Sequence, residues 1–208
     1  MINIIGSIPN KVTVAVSGGA DSMAALSFLS AHGKRDVSVA YFNHGTSFGT
    51  DSEVFIRRYC SARELPLTVG MIGNMDRGSK STEEHWRDER IMFLEGLEGA
   101  IITGHNLDDV VEWYLFSTLH GQSKLIPYQR NNIIRPFLST SKKELESWCD
   151  RHGVPYMNDP SNKDEKYMRS IIRHKILPEA LRVNPGLATV IKKKVEKNEL
   201  ERKSKGKS

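Results

Sequence analysis

The stretch Ser17-Gly18-Gly19-Ala20-Asp21-Ser22 follows the apolar run Val12-Thr13-Val14-Ala15-Val16 and precedes a helical pattern over residues 23–29. Strand, glycine-rich turn and helix in that order build an anion site. Two adjacent glycines let the backbone turn without Cβ clashes, so successive N–H groups converge on phosphate oxygens, and the helix N-terminus adds its partial positive charge. Ser17 and Ser22 are placed to donate hydroxyl hydrogen bonds to the same phosphate. Asp21 is an acid beside a polyanion, which leaves two uses for it. It meets the phosphate through a divalent cation, Mg²⁺, which is the preferred reading, or it caps the helix that follows. The spacing fits neither the phosphate loop ending in Gly-Lys-Ser/Thr nor the dinucleotide fingerprint with its third glycine.

Outward from this stretch, strand and helix patterns alternate. Residues 37–42, 67–72 and 100–103 read as strands, and residues 52–63, 82–97 and 108–119 as helices, the second capped by Ser81 or Thr82. This alternation predicts an α/β fold: a parallel, doubly wound sheet with helices on both faces, whose ligands bind beyond the carboxyl ends of the strands. Ser17, Asn43 and Gly104 all lie at such ends. Past Gly121 the pattern changes: residues 125–132 read as a loop, a helix starts near Ser141, turn formers crowd residues 158–162, and a further helical pattern spans 166–181. The expected organisation is an α/β nucleotide-binding domain over 1–122, a helical extension completing it over 123–186, and a basic tail over 187–208, read as a solvated helix end or a disordered segment.

Composition bounds the function. At 208 residues with 38% hydrophobic, the chain suits one α/β domain with a small appendage. No stretch reaches the roughly 20 apolar residues of a membrane span, and residues 1–11 lack the features of a signal peptide, so a cytoplasmic location is expected. Cys60 and Cys149 stand alone with no Cys-x-x-Cys. That spacing argues against a zinc knuckle, an iron–sulfur site or a disulfide scaffold, and both are read as small buried hydrophobes. From Leu187 onward eight basic residues face three glutamates, which accounts for the whole formal charge of +5. A basic tail on a neutral domain suits either attraction to a polyphosphate partner or a solubilising role.

A second group of chemically capable residues lies in Thr103-Gly104-His105-Asn106-Leu107-Asp108-Asp109-Val110-Val111-Glu112. With a helix starting near Asn106 or Leu107, His105, Asp109 and Glu112 fall at i, i+4 and i+7, on one face looking onto the crevice of the phosphate loop. Such a trio can ligate Mg²⁺, deprotonate a nucleophile or position one. Asp108 is read as a first-turn acid favoured by the helix dipole. Arg87 and Arg90, one helical turn apart, suit RNA or substrate contacts, or merely an exposed face.

The hexapeptide resembles the PP-loop of the N-type ATP pyrophosphatases, which cleave ATP between the α- and β-phosphates and adenylate a second substrate. A wider set of motifs is similar, in order and over about residues 11–186, to the tRNA(Ile)-lysidine synthase family. It comprises the hexapeptide, Phe42-Asn43-His44-Gly45, Glu83 with Arg87 and Arg90, Thr103-Gly104-His105 through Glu112, Arg135-Pro136, Asn158-Asp159 with Ser161-Asn162, Tyr167-x-Arg169-x-x-x-Arg173, Ile176-Leu177-Pro178 and Asn184-Pro185.

That resemblance implies ATP and Mg²⁺ as cofactors. It implies tRNA with a CAU anticodon and L-lysine as substrates, joined at C2 of the wobble cytidine to give lysidine. It casts Ser17 to Ser22 as the ATP site. Asp109 and Glu112, with His105 nearby, would hold and deprotonate the lysine amine. Arg169 would meet nucleotide phosphate or developing charge, and Asn43, His44, Arg87, Arg90 and Arg173 would contact tRNA or substrate. The chain departs from the family where Thr46 and Ser47 replace basic residues, at Ser170 in place of Asn, and at Gly121-Gln122-Ser123-Lys124. It also ends where larger members continue into C-terminal domains that grip tRNA, a role the basic tail is expected to fill in part. Oligomeric state is left open, a homodimer included. Two alternatives remain at this level: another PP-loop adenylating enzyme, for tRNA thiolation or small-molecule amidation, and a non-catalytic nucleotide- or RNA-binding protein of the same fold.

Overall fold

A computed structural model describes residues 1–73, 78–159 and 168–205, with Arg169 and Lys205 described in backbone only. The elements in chain order are β1 (Lys11–Val16), α1 (Ala20–Ala31), β2 (Asp36–Asn43), α2 (Ser47–Ser61), β3 (Leu67–Met71), α3 (Thr82–Glu95), β4 (Ala100–Thr103), α4 (Leu107–Leu119), β5 (Gln129–Arg130), β6 (Ile133–Ile134), α5 (Lys142–His152), α6 (Met168–Ile171), a π-helical turn (Ile172–Ile176), α7 (Leu177–Val183) and α8 (Leu187–Lys205). The sheet order is β3-β2-β1-β4-β6-β5, parallel except for the β5–β6 pair. The predicted α/β class and parallel doubly wound sheet are therefore present. The chain leaves β1 toward β2 and later returns to β4 on β1's other side, so the strand order reverses between β1 and β4. Ligand crevices open at such a point.

Alternation along the strands sorts their side chains onto two faces. Val12, Val14, Val16, Val39, Tyr41, Ile102 and Ile134 join the main core with residues of α1, α2, α4, α5 and α8. Ala40, Ile101 and Ile133 face the other way, onto Leu94, with Phe93 and Leu97 packed alongside. The amino-terminal residues are part of the same body: Ile2 and Ile5 are buried, and Ile5 N–H donates to Pro136 O at 2.9 Å.

Three expectations need correction. Helix α2 begins at Ser47, five residues ahead of the apolar periodicity, because Thr46 caps it by accepting from Gly49 N–H at 2.9 Å. Its first turn carries Gly49 where a Cβ would come within 2.7 Å of Asn43 Oδ1, so close packing rather than propensity decides the residue there. Residues 125–132 are not wholly loop, since β5 and β6 form a short hairpin turning at Asn131 (φ 52°) and β6 extends the sheet beside β4. Strands of two residues are too short to show a period.

The basic tail, read as a solvated helix end or a disordered segment, is over residues 187–205 the docked helix α8. Its Ile191 and Val195 are buried in the main core and Glu199 is buried beside them, so the i, i+4, i+8 stripe anchors it. The lysines that dominate its composition masked that stripe. Ile134, Leu138, Leu145 and Ile191 share one core with Val14 and Leu26.

Ile191 is fully buried. Ile191→Ala should therefore lower stability by about 2–5 kcal/mol, read as a shift in the urea midpoint; an unchanged midpoint would mean that α8 does not dock in solution.

Candidate functional site

In the turn between β1 and α1, Ser17 N–H donates to Ser22 Oγ at 3.0 Å and Gly19 N–H makes a long 3.4 Å bond to Ser17 Oγ. Gly18 holds φ +86°, Gly19 is the N-cap of α1, and no side chain caps that helix start. The capping alternative for Asp21 is thus excluded, and the first-turn N–H groups point out of the helix end as an anion site requires. Ser22 braces the turn from inside: its Oγ accepts from Ser17 N–H and donates to Gly19 O, both at 3.0 Å. Its hydroxyl proton is therefore engaged. The Ser17 hydroxyl, 3.2 Å from Ser22 Oγ, is the one left to meet a ligand.

Three neighbours hold the turn from outside. Met157 N–H donates to Gly18 O at 2.9 Å, and Cys149 Sγ lies 3.6 Å from Ala20 O. Gly104, after β4, packs so tightly that a Cβ there would stand 3.0 Å from Asp21 O and 3.1 Å from Ser22 Cα.

Beyond the turn lies a cleft of about 700 Å³, and its walls include Ser17, Asp21, Ser22, His105, Asp109 and Glu112. The structure thus brings together both sequence motifs. The helix bearing the second is built by a capping box: Asn106 Oδ1 accepts from Asp109 N–H at 3.2 Å, and Asp109 Oδ2 accepts from Asn106 N–H at 3.0 Å. The Asn-x-x-Asp spacing is a legible signal that a reading centred on catalysis passes over. Asp109 Oδ1 remains, 4.0 Å from Arg173 Nη2. Arg173 Nε donates to Glu112 Oε1 at 2.5 Å, in a pair whose Glu112 side chain is only 4% exposed. Although burial opposes its charge, Glu112, Asp109 and Asp21 together raise the pKa of Arg173. His105 is oriented by Thr103, Oγ1 to Nδ1 at 2.8 Å. Asp108 serves the packing, accepting from Lys142 N–H at the start of α5 at 2.8 Å.

Asp21 is the perturbed group of the cleft. Burial drives its carboxyl up to about 7, opposed by Lys142 and reinforced by Asp109, Glu146 and Asp108. Its Oδ1 is buried with no hydrogen-bond partner. An orphaned carboxylate oxygen facing a second carboxylate at an anion site suits a hard, oxygen-seeking cation, and the group fits Mg²⁺ shared with phosphate oxygens. No cluster of three or more His, Cys, Asp or Glu able to hold a metal occurs among the described residues.

The remaining expected contacts divide. His44, Arg87 and Arg90 line the cleft. His44 is held neutral, burial and then Arg90 pulling its pKa down to about 4, and it stacks on Trp86 with centroids 5.3 Å apart. Asn43 does not reach the cleft: it is buried, its Oδ1 accepts from Gly45 N–H at 2.8 Å, and its Nδ2 donates to Glu53 at 2.9 Å. It shapes the turn after β2. The side chain of Arg169 lies outside the described residues, as do Ser161, Asn162 and Tyr167.

Residues that the sequence did not single out as cleft walls are Asp159, Ser170, Arg130 and Arg135, of which Ser170 and Arg135 are buried. A second cavity of about 1040 Å³ adjoins the first, sharing His44, Trp86, Arg87, Arg130 and Arg135 and bounded farther out by Trp113 and Phe116.

A phosphate cradle at the reversal point of a doubly wound sheet, with carboxylates across the cleft, defines an α/β nucleotide-binding protein. Residues 3–180 match the PP-loop domain model, and the chain belongs to that family. Among curated proteins it is similar to the tRNA(Ile)-lysidine synthases of Staphylococcus aureus (31% identity over 82% of this chain and 44% of the relative) and Lactiplantibacillus plantarum (32%, 85% and 43%). That of Thermosipho africanus is similar to the same degree (32%, 85% and 45%). The chain spans less than half the length of these relatives.

Among solved structures, the U34-tRNA thiolase of Methanococcus maripaludis with its [4Fe-4S] cluster superposes with TM-score 0.70 at 18% identity, over 91% of this chain and 71% of that one. The NH3-dependent NAD synthetase of Campylobacter jejuni gives 0.51 at 17%, over 92% and 86%. At these identities the two share the fold.

Two substitutions probe the packing of the site. Gly104→Ala should press on the backbone of the turn, costing about 1–3 kcal/mol of stability and weakening ATP binding, measured by calorimetry. Arg173→Met strands the buried Glu112 carboxylate and should cost about 2–3 kcal/mol, less in Glu112→Gln/Arg173→Met, where the charge is gone as well.

Proposed function

We propose that the protein is an ATP-dependent tRNA-modifying ligase that joins lysine to C2 of the wobble cytidine in a CAU anticodon. The observation that carries this reading is the charge pattern of the cleft. Beside an anion-binding turn, Asp21, Asp109 and Glu112 are balanced by Arg173 and, at Asp21, by Lys142. Mg²⁺ with ATP and an ammonium-bearing substrate would complete the balance on that acidic side, across from the arginines of the same cleft. The named activity of the curated relatives supports the same assignment.

In this reading the phosphates of ATP sit on the N–H groups of the 18–20 turn and on the Ser17 hydroxyl, and Asp21 would hold Mg²⁺. The metal, when bound, neutralises charge on the departing pyrophosphate. Cytosine O2 attacks the α-phosphate, pyrophosphate leaves, and the adenylated oxygen becomes a leaving group. The lysine ε-amine, with a pKa near 10.4 in water, must shed a proton before it attacks C2. Glu112 would hold the ammonium and take that proton. Arg173 orients it through Nε, and Asp109, with one oxygen engaged in the capping box, offers the other to the ammonium.

Thiolation fits the site less well. Cys60 and Cys149 are both buried, and burial, with Asp150, Asp21 and Glu146 adding to it, pushes the Cys149 thiol up to about 11, away from the thiolate that sulfur chemistry needs. Helix α8, which exposes Lys193, Lys194 and Lys197 opposite its buried stripe, supplies a basic face toward tRNA.

Incorporation of radiolabelled lysine into unmodified tRNA bearing a CAU anticodon, with ATP and Mg²⁺, tests the reading directly. Label at the wobble position is expected, and its absence from protein shown to bind ATP would overturn the assignment. Lys193→Glu/Lys194→Glu/Lys197→Glu should flatten the salt dependence of tRNA binding and leave α8 docked.

The elevated Asp21 carboxyl predicts pH dependence with a definite sign. Its pKa lies above the usual 3.8, so the ligand-free fold loses stability as pH rises from about 3.8 toward about 7, where the unfolded chain has already released the proton. Binding of Mg²⁺ needs the ionised form. Affinity for Mg²⁺ with ATP should therefore climb as pH passes through about 7, and Asp21→Asn should abolish the climb in calorimetric titrations.

A further inference from the structure

The cleft and the second cavity meet at a wall of guanidinium groups that the chemistry above does not use. Arg135 follows β6 and is 8% exposed. Its Nη1 donates to Pro127 O at 3.1 Å, but its Nε is buried with no hydrogen-bond partner. An unanswered donor on a buried cation is costly, and native structures keep such a group where something else comes to meet it. Arg87 and Arg130 line the same two cavities, and both are exposed toward solvent. Burial, then the charges of Arg130 and Arg87, lower the pKa of Arg135 to about 10, with Glu95 pulling the other way, so it remains a cation at neutral pH.

Glu95, the acid whose charge acts on Arg135, is already engaged, 3.7 Å from Arg130 Nε and accepting from Asn131 Nδ2 at 2.9 Å. No ion pair answers Arg87 among the described residues. The cluster, beside Arg90 and Glu83 on the same shared wall, grades from two exposed members to one buried member at the junction of two cavities. A small carboxylate ligand needs one guanidinium fork. A cluster extended from the surface inward suits a phosphodiester strand that enters from solvent and stays charged at every working pH. The outer cavity behind it, at about 1040 Å³ and walled partly by Trp113 and Phe116, has room for a nucleotide turned out of its stack, whose own phosphate must pass this rim.

We propose that Arg135, with Arg130 and Arg87, seats an RNA phosphodiester next to the nucleotide being modified. The proposal rests on the reading that the substrate is tRNA, and it assigns Arg130 and Arg135 a role in positioning the RNA backbone. The buried Arg135 makes the final charge-assisted hydrogen bonds through its open Nε, and the exposed pair draws the strand in.

The test uses an anticodon stem-loop RNA in which one phosphodiester flanking the wobble cytidine is replaced by an uncharged methylphosphonate. Binding is measured to the wild-type protein and to Arg87→Ala/Arg130→Ala, whose exposed positions spare the fold. One of the two flanking replacements should weaken wild-type binding about tenfold or more. The same replacement should cost the double variant little further, because the partners of that charge are gone. Arg135→Lys, which keeps the charge but loses the fork, should bind the native RNA more weakly than wild type with ATP binding unchanged. Full additivity of the two losses, on RNA that is still bound and modified, overturns the phosphate seat and leaves the ligase reading standing. Failure of wild-type protein to bind the unmodified stem-loop overturns both.

Discussion

A helix that begins without a side-chain cap leaves its first N–H groups unanswered, and this protein keeps such a start at the centre of its cleft. The turn before α1 can hold that arrangement only because it is restrained from outside. The backbone of Met157 bonds to Gly18, the Gly104 backbone presses on Asp21 and Ser22, and α5 closes behind Ala20 through Cys149. Each restraint comes from a different part of the chain, and each leaves the N–H groups free. The preorganisation is thus distributed: the hexapeptide supplies the donors, and the sheet, α5 and the segment after it supply the rigidity that makes the donors useful to a phosphate.

The second constraint is electrostatic. Arg173 reaches across from the π-helical turn to Glu112 on α4 and so ties the C-terminal helices to the sheet by a charge pair at the cleft floor. A π turn shifts the facing of the residues it contains relative to an α-helix, a device often found where a helix must aim one side chain at a site. The pairing gives a buried carboxylate the partner without which its burial would be costly. It also leaves the acids incompletely balanced, which is the condition for binding cations with a nucleotide. On the far side of the cleft the imbalance has the opposite sign, at Arg87, Arg130 and Arg135. An acidic floor and a basic rim within one crevice separate the places where ammonium and metal would settle from the place where a polyanion would.

Much of the site was legible because the chemistry is local. The hexapeptide, the His105 to Glu112 spacing and the arginines of α3 are contiguous stretches with short-range meaning, and the structure places them along one cleft. Other residues defeated that kind of reading. Asn43 has the side chain of a ligand contact, but its amide is spent on the turn and on Glu53. Asp109 looks like a free acid, yet half of it is committed to a capping box. Arg135 reads as one basic residue before a proline, and its burial and open Nε depend on neighbours at Pro127, Arg130 and Arg87.

By itself the sequence determined the α/β class, the parallel strands, the anion-binding turn and the family resemblance. All of these follow from periodicities and motifs spanning a few residues, where neighbouring side chains dictate the backbone. Only the tertiary structure decided that α8 is a core helix, that β5 and β6 complete the sheet, and which polar groups remain open. Those outcomes depend on contacts between residues far apart in the chain. A lysine-rich helix docks on three buried positions, a two-residue strand exists because its partner does, and a guanidinium is satisfied or orphaned according to what folds beside it.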